Sequence, residues 1–264
     1  LILKTYEYFE LLHRFFAKKI FYKFHRIMYL MSLRGMGILN SENDKISGEN
    51  WFQNYLKKRQ LNIIFDVGAN TGQYASLLIK EHPSVKVYSF EPHPISYGLL
   101  QKNVKNSNVI PINIGLGKEE KLLLLYDYKN DQGSQHASLN QEVFTQMYKK
   151  DIQTTEVKIN TLDNFCREND ISEISFLKID VEGLEFDVLL GAKEMIENGK
   201  VGIIQFEFNS NNVYTKTSMN DFQQFLKNYT LYRLMPDGLI NLSEESYLVT
   251  EIYLFQNIVA IRNY

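Results

Sequence analysis

The sequence predicts an α/β fold: a doubly wound, mostly parallel sheet that follows a helical N-terminal extension. Three observations carry this. From residue 61 onward, short apolar runs alternate with amphipathic segments of ten to fifteen residues, the rhythm of parallel strands joined by crossover helices. A Gly-bracketed turn, IIFDVGANTGQY, follows the first such run. Finally, 44% apolar and 23% charged residues over 264 positions are the composition of a folded chain with a sizeable core, which excludes disordered and collagen-like classes.

Residues 1–34 hold Lys4, Arg14, Lys18, Lys19, Lys23, Arg26 and Arg34 against Glu7 and Glu10, a formal charge of +5, with nine aromatics interleaved. No Gly or Pro interrupts them, so one long helix or two short ones is expected, packed as a cap on the body or docked on a membrane or partner. A polar stretch, 35–48, reads as a linker in which Ser47 can cap a helix over 49–59. The predicted division is therefore 1–60, cap and linker, and 61–264, the α/β body.

Strands are predicted at 63–67, 85–90, 109–112, 174–179 and 201–208, and helices near 71–81, 95–105, 184–197 and 218–228. Between 121 and 158 the rhythm breaks. There LLLLYDY and TTEVKIN read as paired strands flanking a polar loop, GSQHAS, that can reach over a site. After the turn MPDG, the apolar run 252–261 suits antiparallel pairing at a sheet edge.

Whole-chain charge is balanced, 29 Lys plus Arg against 31 Asp plus Glu, so no bulk field draws in nucleic acid. The single cysteine, Cys166, lies in a helical segment with no His or acid partner and reads as core; one cysteine without an internal partner fits a reducing compartment, the cytoplasm. No window is apolar for long enough to span a bilayer, and no secretory leader is visible.

In open α/β sheets, ligands bind beyond the carboxyl ends of the strands where the winding reverses. Gly68 and Gly72 let backbone approach a ligand, and Asn70 with Gln73 makes a plausible capping pair for the next helix. Strand two ends in SFEP, placing Glu91 23 residues beyond Gly68, where an acid accepts both hydroxyls of a ribose. Positions three and six of a dinucleotide fingerprint counted from Gly68 are Asn and Gln, which disfavours a nicotinamide-dependent oxidoreductase. Asp66, just before the first glycine, would repel a pyrophosphate but can accept from an α-ammonium group such as that of S-adenosylmethionine.

FDVGANTGQY, SFEP, NIGLG, QHASL, FLKIDVEGLEFDVLLGA and QFEFN occur in the order found in FkbM-type S-adenosylmethionine-dependent methyltransferases, which the chain resembles over about 61–210. The resemblance implies a Rossmann-like class I methyltransferase fold with a seven-stranded sheet, and methyl transfer to oxygen on a sugar or polyketide-type product. It implies that Asp66, Gly68, Asn70 and Gly72 cradle the methionine part of the donor, Glu91 holds the ribose and Asn113 lies beside the adenine.

For the chemistry itself, Asp180 is expected nearest the transferred methyl, in the cofactor site as well as the catalytic one, with Glu182 the second candidate base and Glu207 and Asn209 beside them. Clustered carboxylates raise one another's proton affinity. Glu185 is the member most prone to serve only the helix start. Magnesium on Asp180, Glu207 and Asn209 is a second, less favoured reading of the cluster. His136, in the polar loop, could take a proton from an acceptor hydroxyl, and Ser138 beside it matches a serine of the family. His93 is expected at the adenosine edge. The expected function is an S-adenosylmethionine-dependent O-methyltransferase acting on a small molecule or glycan. Its alternative is a non-catalytic nucleoside-binding module that docks through residues 1–34.

Overall fold

The computed structural model describes residues 10, 12–41, 43–105, 108–128 and 152–263. A helical stretch over 12–16 and a 3-10 turn, Lys19–Phe21, lead into helix α1 (Tyr22–Gly35), which buries only Leu33. Next come α2 (Asp44–Ser47), capped by the Asn43 side chain, and α3 (Glu49–Lys57). Gly48 in the left-handed region precedes α3, and the Ser47 hydroxyl accepts the Glu49 N–H at 3.4 Å. Phe52 and Leu56 of α3 are fully buried against the sheet, so this stretch upstream of residue 61 shares the body's core.

The body then runs β1 (Ile63–Val67), α4 (Gln73–Glu81), β2 (Lys86–Phe90), α5 (Pro94–Asn103), β3 (Val109–Ile112), β4 (Gly115–Leu116), β5 (Lys121–Tyr128) and β6 (Ile152–Asn160). It continues through α6 (Leu162–Glu168), β7 (Ile174–Ile179), α7 (Glu185–Leu190), α8 (Lys193–Glu197), β8 (Val201–Phe208), α9 (Asn211–Thr215) and α10 (Met219–Phe225). The last elements are β9 (Tyr229–Met235), β10 (Gly238–Asn241), α11 (Tyr247–Thr250) and β11 (Gln256–Arg262). The large sheet has the order β10-β9-β11-β8-β7-β1-β2-β3, with β3, β2, β1, β7 and β8 parallel. The chain winds outward from β1 to β3 and returns at β7, so the switch point lies between β1 and β7. Helices cover both faces: one buried cluster joins Phe65, Phe90 and Phe206 to Phe165, Val188 and Phe222, and the other joins Ile64, Val87 and Phe176 to Phe52 and Leu78.

Three expectations are corrected. The large sheet has eight strands, not seven, because the turn at 236–237 folds β10 back along β9 from Gly238↔Met235 to Asn241↔Tyr232. The run 252–261 is antiparallel as expected but interior, since β11 lies between β8 and β9. The reason is burial on both sides: Ile258 and Ala260 face one core and Val259 the other. The single helix expected over 184–197 is two, because the chain turns at Gly191, where a Cβ would run into the Gly117 carbonyl. The Asp163 carboxylate then accepts the Glu194 and Met195 N–H groups and starts α8 afresh.

The paired strands of the 121–158 excursion are β5 and β6, in register from Lys121↔Ile159 to Tyr128↔Ile152, in a separate three-stranded sheet with β4. The loop between them, with His136 and Ser138, lies outside the described residues. Cys166 is buried, and burial pushes its thiol up to about 12.

Candidate active site

A cavity of about 770 Å³ opens above the switch point, walled by the loops that follow β1, β2, β7 and β8. Each loop is shaped by backbone that few residue types can supply. Gly68 has φ +86°, and a Cβ there would collide with the Asp180 carbonyl oxygen, so the β1 and β7 loops touch only because this position has no side chain. The Asp180 N–H donates to the Val67 carbonyl at 2.9 Å and joins the two loops. Asn70, also left-handed at φ +47°, does not cap α4. That helix starts from Gly72, whose missing side chain admits Leu100 and Val104 of the α5 region.

Glu91 is the hinge of the β2 side. Its Oε2 accepts the Asn70 N–H at 2.8 Å and its Oε1 accepts the His93 N–H at 2.8 Å, fixing the carboxylate at the cavity wall. Burial pushes this carboxyl up to about 7 against the pull of those two N–H groups. His93 caps α5 through Nδ1, which accepts from Ile95 and Ser96, and it also lines the cavity. Asn113 is exposed and outside the cavity wall; its amide donates to the carbonyls of Glu91 and Pro92 and braces the loop from behind.

Across the cavity stand the carboxylates that follow β7 and close the end of β8. Asp180 pairs with Lys178 at 2.8 Å. Glu182 sits at φ +54° in the sharp turn before Gly183, accepts from Asn211 Nδ2 at 3.3 Å, and is pushed up to about 7 by burial and by the charge of Asp180. Glu207 is raised further by burial and by both acids. Asn209 donates to Glu207 Oε2 at 3.4 Å and accepts the Asn211 N–H, tying the β8 loop together. Glu185, pushed up to about 7 by its burial, accepts the N–H groups of Val181 and Gly183 and serves the turn rather than the cavity. Among the described residues, no three His, Cys, Asp or Glu side chains meet in an arrangement that could hold a metal ion.

Asp66 does not line the cavity. It is fully buried on the opposite face of β1, where burial pushes it up to about 6 and neither carboxylate oxygen has a hydrogen-bond partner among the described residues. Register places it level with Ser89 on β2 and Lys178 on β7, and Lys178 level with Gln205 on β8. These four buried polar residues make a row across the sheet beneath the cavity floor. Tyr74 closes over the row, its ring 4.9 Å from the Lys178 ammonium and its hydroxyl donating to Gln205 at 3.4 Å, while Gln205 donates to Glu49 of α3 at 2.5 Å.

Sequence reasoning missed Lys178, Tyr74, Gln205 and the part that Leu39, Ser41, Ser47 and Glu49 of the linker and α3 take in the cavity wall. One signal was available: a lysine between Leu177 and Ile179 in an otherwise apolar strand needs an anionic partner within reach.

Residues 66–233 match the family model described as the methyltransferase FkbM domain. The chain is 28% identical over 142 residues to Methyltransferase 1 of Beauveria bassiana (strain ARSEF 2860), covering 48% of this chain and 57% of that protein, less than two thirds of its length. It is 20% identical over 186 residues to the 2-O-methyltransferase NoeI of Sinorhizobium fredii (strain NBRC 101917 / NGR234), covering 67% and 76%. Among solved structures, the plantazolicin methyltransferase BamL in complex with a triazolic desmethylPZN analog and SAH aligns at a TM-score of 0.46 and 10% identity, over 96% of this chain and 94% of that one.

Proposed function

The chain belongs to the methyltransferase FkbM domain family, and on that premise we propose that it is an S-adenosylmethionine-dependent O-methyltransferase whose acceptor is a hydroxyl on a small molecule or glycan. The observation that carries this reading is the Glu91 carboxylate, held at the cavity wall by two backbone N–H groups, with each oxygen keeping a lone pair for a ribose hydroxyl. The residues suit such a donor. Gly68 offers bare backbone, Asn70 and His93 flank the Glu91 clamp, and the cavity lies within the range of about 300–1,000 Å³ of ligand pockets.

Bound there, the donor supplies a methyl group already activated on a sulfonium, so the protein's task is positioning and proton removal. Asp180 and Glu182 face the cavity opposite Glu91. Lys178 holds Asp180 in place at 2.8 Å. Glu182, with a proton affinity near neutrality, accepts the proton that an acceptor hydroxyl gives up. The likeness to NoeI, a 2-O-methyltransferase, supports oxygen as the acceptor atom.

Calorimetric titration of the chain with S-adenosylmethionine, beside Glu91→Ala and with NAD as control, tests the reading. Micromolar binding that Glu91→Ala abolishes is expected. Tight binding of NAD with no response to S-adenosylhomocysteine would overturn it.

A further inference from the structure

Helix α1 carries an apolar face that the rest of the described molecule leaves bare. Phe24, Ile27, Met28 and Met31 recur at the i, i+3, i+4, i+7 spacing that stacks side chains on one side of a helix, yet they are 54%, 58%, 44% and 62% exposed. At about 100° per residue, Leu33, the buried residue of α1, lies on the opposite side. Leu33 seats only the last turn of α1 on the body; Tyr22, Arg26 and Tyr29, on the same side as Leu33, are exposed, and the stripe is turned the other way. Lys23 and Arg34 fall between the two, along one flank of the stripe, and Arg26 lies next to Leu33 on the far side. The anchoring is specific: the buried guanidinium of Arg233 donates to the Met36 carbonyl at 3.4 Å, just past the end of α1, and to the Val249 carbonyl at 2.8 Å. Upstream, Phe15, Phe16 and Phe21 cluster with ring centroids 5.2 to 5.6 Å apart, and the Lys18 ammonium lies over the Phe15 ring at 5.2 Å.

We propose that this face of α1 docks on an anionic lipid surface, lying in the plane of the interface. Charge and shape choose this occupant. Residues 1–34 carry +5 and the remainder of the chain −7, so a second copy's body could answer the basic flank. It could not answer the apolar stripe, because exposed large apolar side chains elsewhere occur singly or in pairs, such as Leu122 with Leu124. A lipid interface offers anionic headgroups to Lys23 and Arg34 and hydrocarbon to Phe24, Ile27, Met28 and Met31 at once. Among the described residues no helix is long and apolar enough to cross a membrane, and α1, at about 21 Å, has the length and sidedness of an interfacial helix.

Co-sedimentation of the full chain with vesicles of phosphatidylcholine alone, or of phosphatidylcholine mixed with phosphatidylserine, tests this. The chain is expected to pellet with the mixed vesicles only, and less at high salt. Replacing the stripe by Phe24→Ser, Ile27→Ser and Met31→Ser together is expected to lower partitioning at least about tenfold. Lys23→Gln is expected to lower it about fivefold. All these side chains are exposed, so the variants keep the parent melting temperature, which is measured alongside. Equal behaviour with both vesicle types, binding indifferent to the stripe substitutions, or a soluble dimer that those substitutions dissociate without any vesicle association would each overturn the proposal.

Discussion

The backbone of Asn70 is held by the side chain of Glu91, 21 residues further along, through a 2.8 Å hydrogen bond that keeps Asn70 in a left-handed conformation. One carboxylate thus both shapes the β1 loop and faces the cavity. Glu91→Ala is expected to weaken S-adenosylhomocysteine binding by at least about tenfold, because one buried charge-assisted contact contributes about 1.5–3 kcal/mol. Glu91→Gln, which can replace only part of the clamp, is expected to fall between. Calorimetry on the three proteins decides; unchanged affinity in Glu91→Ala would remove Glu91 from the site.

Gly68→Ala combines a forbidden contact with a disfavoured backbone, since φ is +86° and the new methyl meets the Asp180 carbonyl. A loss of about 2–4 kcal/mol in unfolding free energy is expected, with loss of ligand binding. Urea titration measures it. A loss below about 0.5 kcal/mol would mean that the β1 and β7 loops can separate freely.

Glu91, Glu182 and Glu185 are each pushed from 4.5 to about 7, first by burial. Between those two values the folded chain holds protons that the unfolded chain has released, so stability falls as pH rises through that window. His82, lowered from its ordinary 6.5 first by partial burial, pulls the other way within this window, whereas Glu81 and Glu119, lowered by Lys57 and Lys121, act below 4.5. The melting temperature at about pH 5.5 is expected to exceed that at about pH 7.5, and Glu182→Gln is expected to flatten the slope. A melting temperature that rises over this interval would contradict the burial of these acids.

If Glu182 is the base, as proposed, transfer to a hydroxyl speeds up as pH rises through about 7, because Glu182 must be ionised to accept a proton. Lys178 holds the proton affinities of Glu182 and Glu207 down. Lys178→Met is therefore expected to move the rising limb of the rate profile to higher pH, and to cost about 2–3 kcal/mol of stability by leaving Asp180 unpaired. The rate profile and a denaturant melt of this variant check both. A limb that stays in place would exclude Glu182 as the base.

Strand periodicity made β1, β2, β7 and β8 legible, because strands buried on both faces are nearly continuous apolar runs. The same property misled at β11: an apolar run shows that a strand is buried and not which neighbours bury it. In the site, Gly68, Glu91 and Asp180 stood out because each directly follows a strand, and Glu182 because it lies in the turn just after β7. Asp66 stood beside them in sequence, but side chains alternate along a strand and its own faces away from the cavity. Lys178 finds Asp180 two residues on, but its level neighbours Asp66 and Gln205, and Gln205's partners Tyr74 and Glu49, come from elements distant in sequence, which one chain read end to end does not display.

The position of β11 also bears on how the protein is made. It is the latest of the sheet's strands in chain order, yet β9 and β10 join the parallel half only through it. While residues 256–262 remain inside the ribosome, the β9–β10 hairpin has no edge to join and the apolar flank of β8 stays uncovered. The nascent chain must therefore carry an incomplete sheet until synthesis has passed residue 262, and the eighth strand in synthesis order closes the structure from the middle outward.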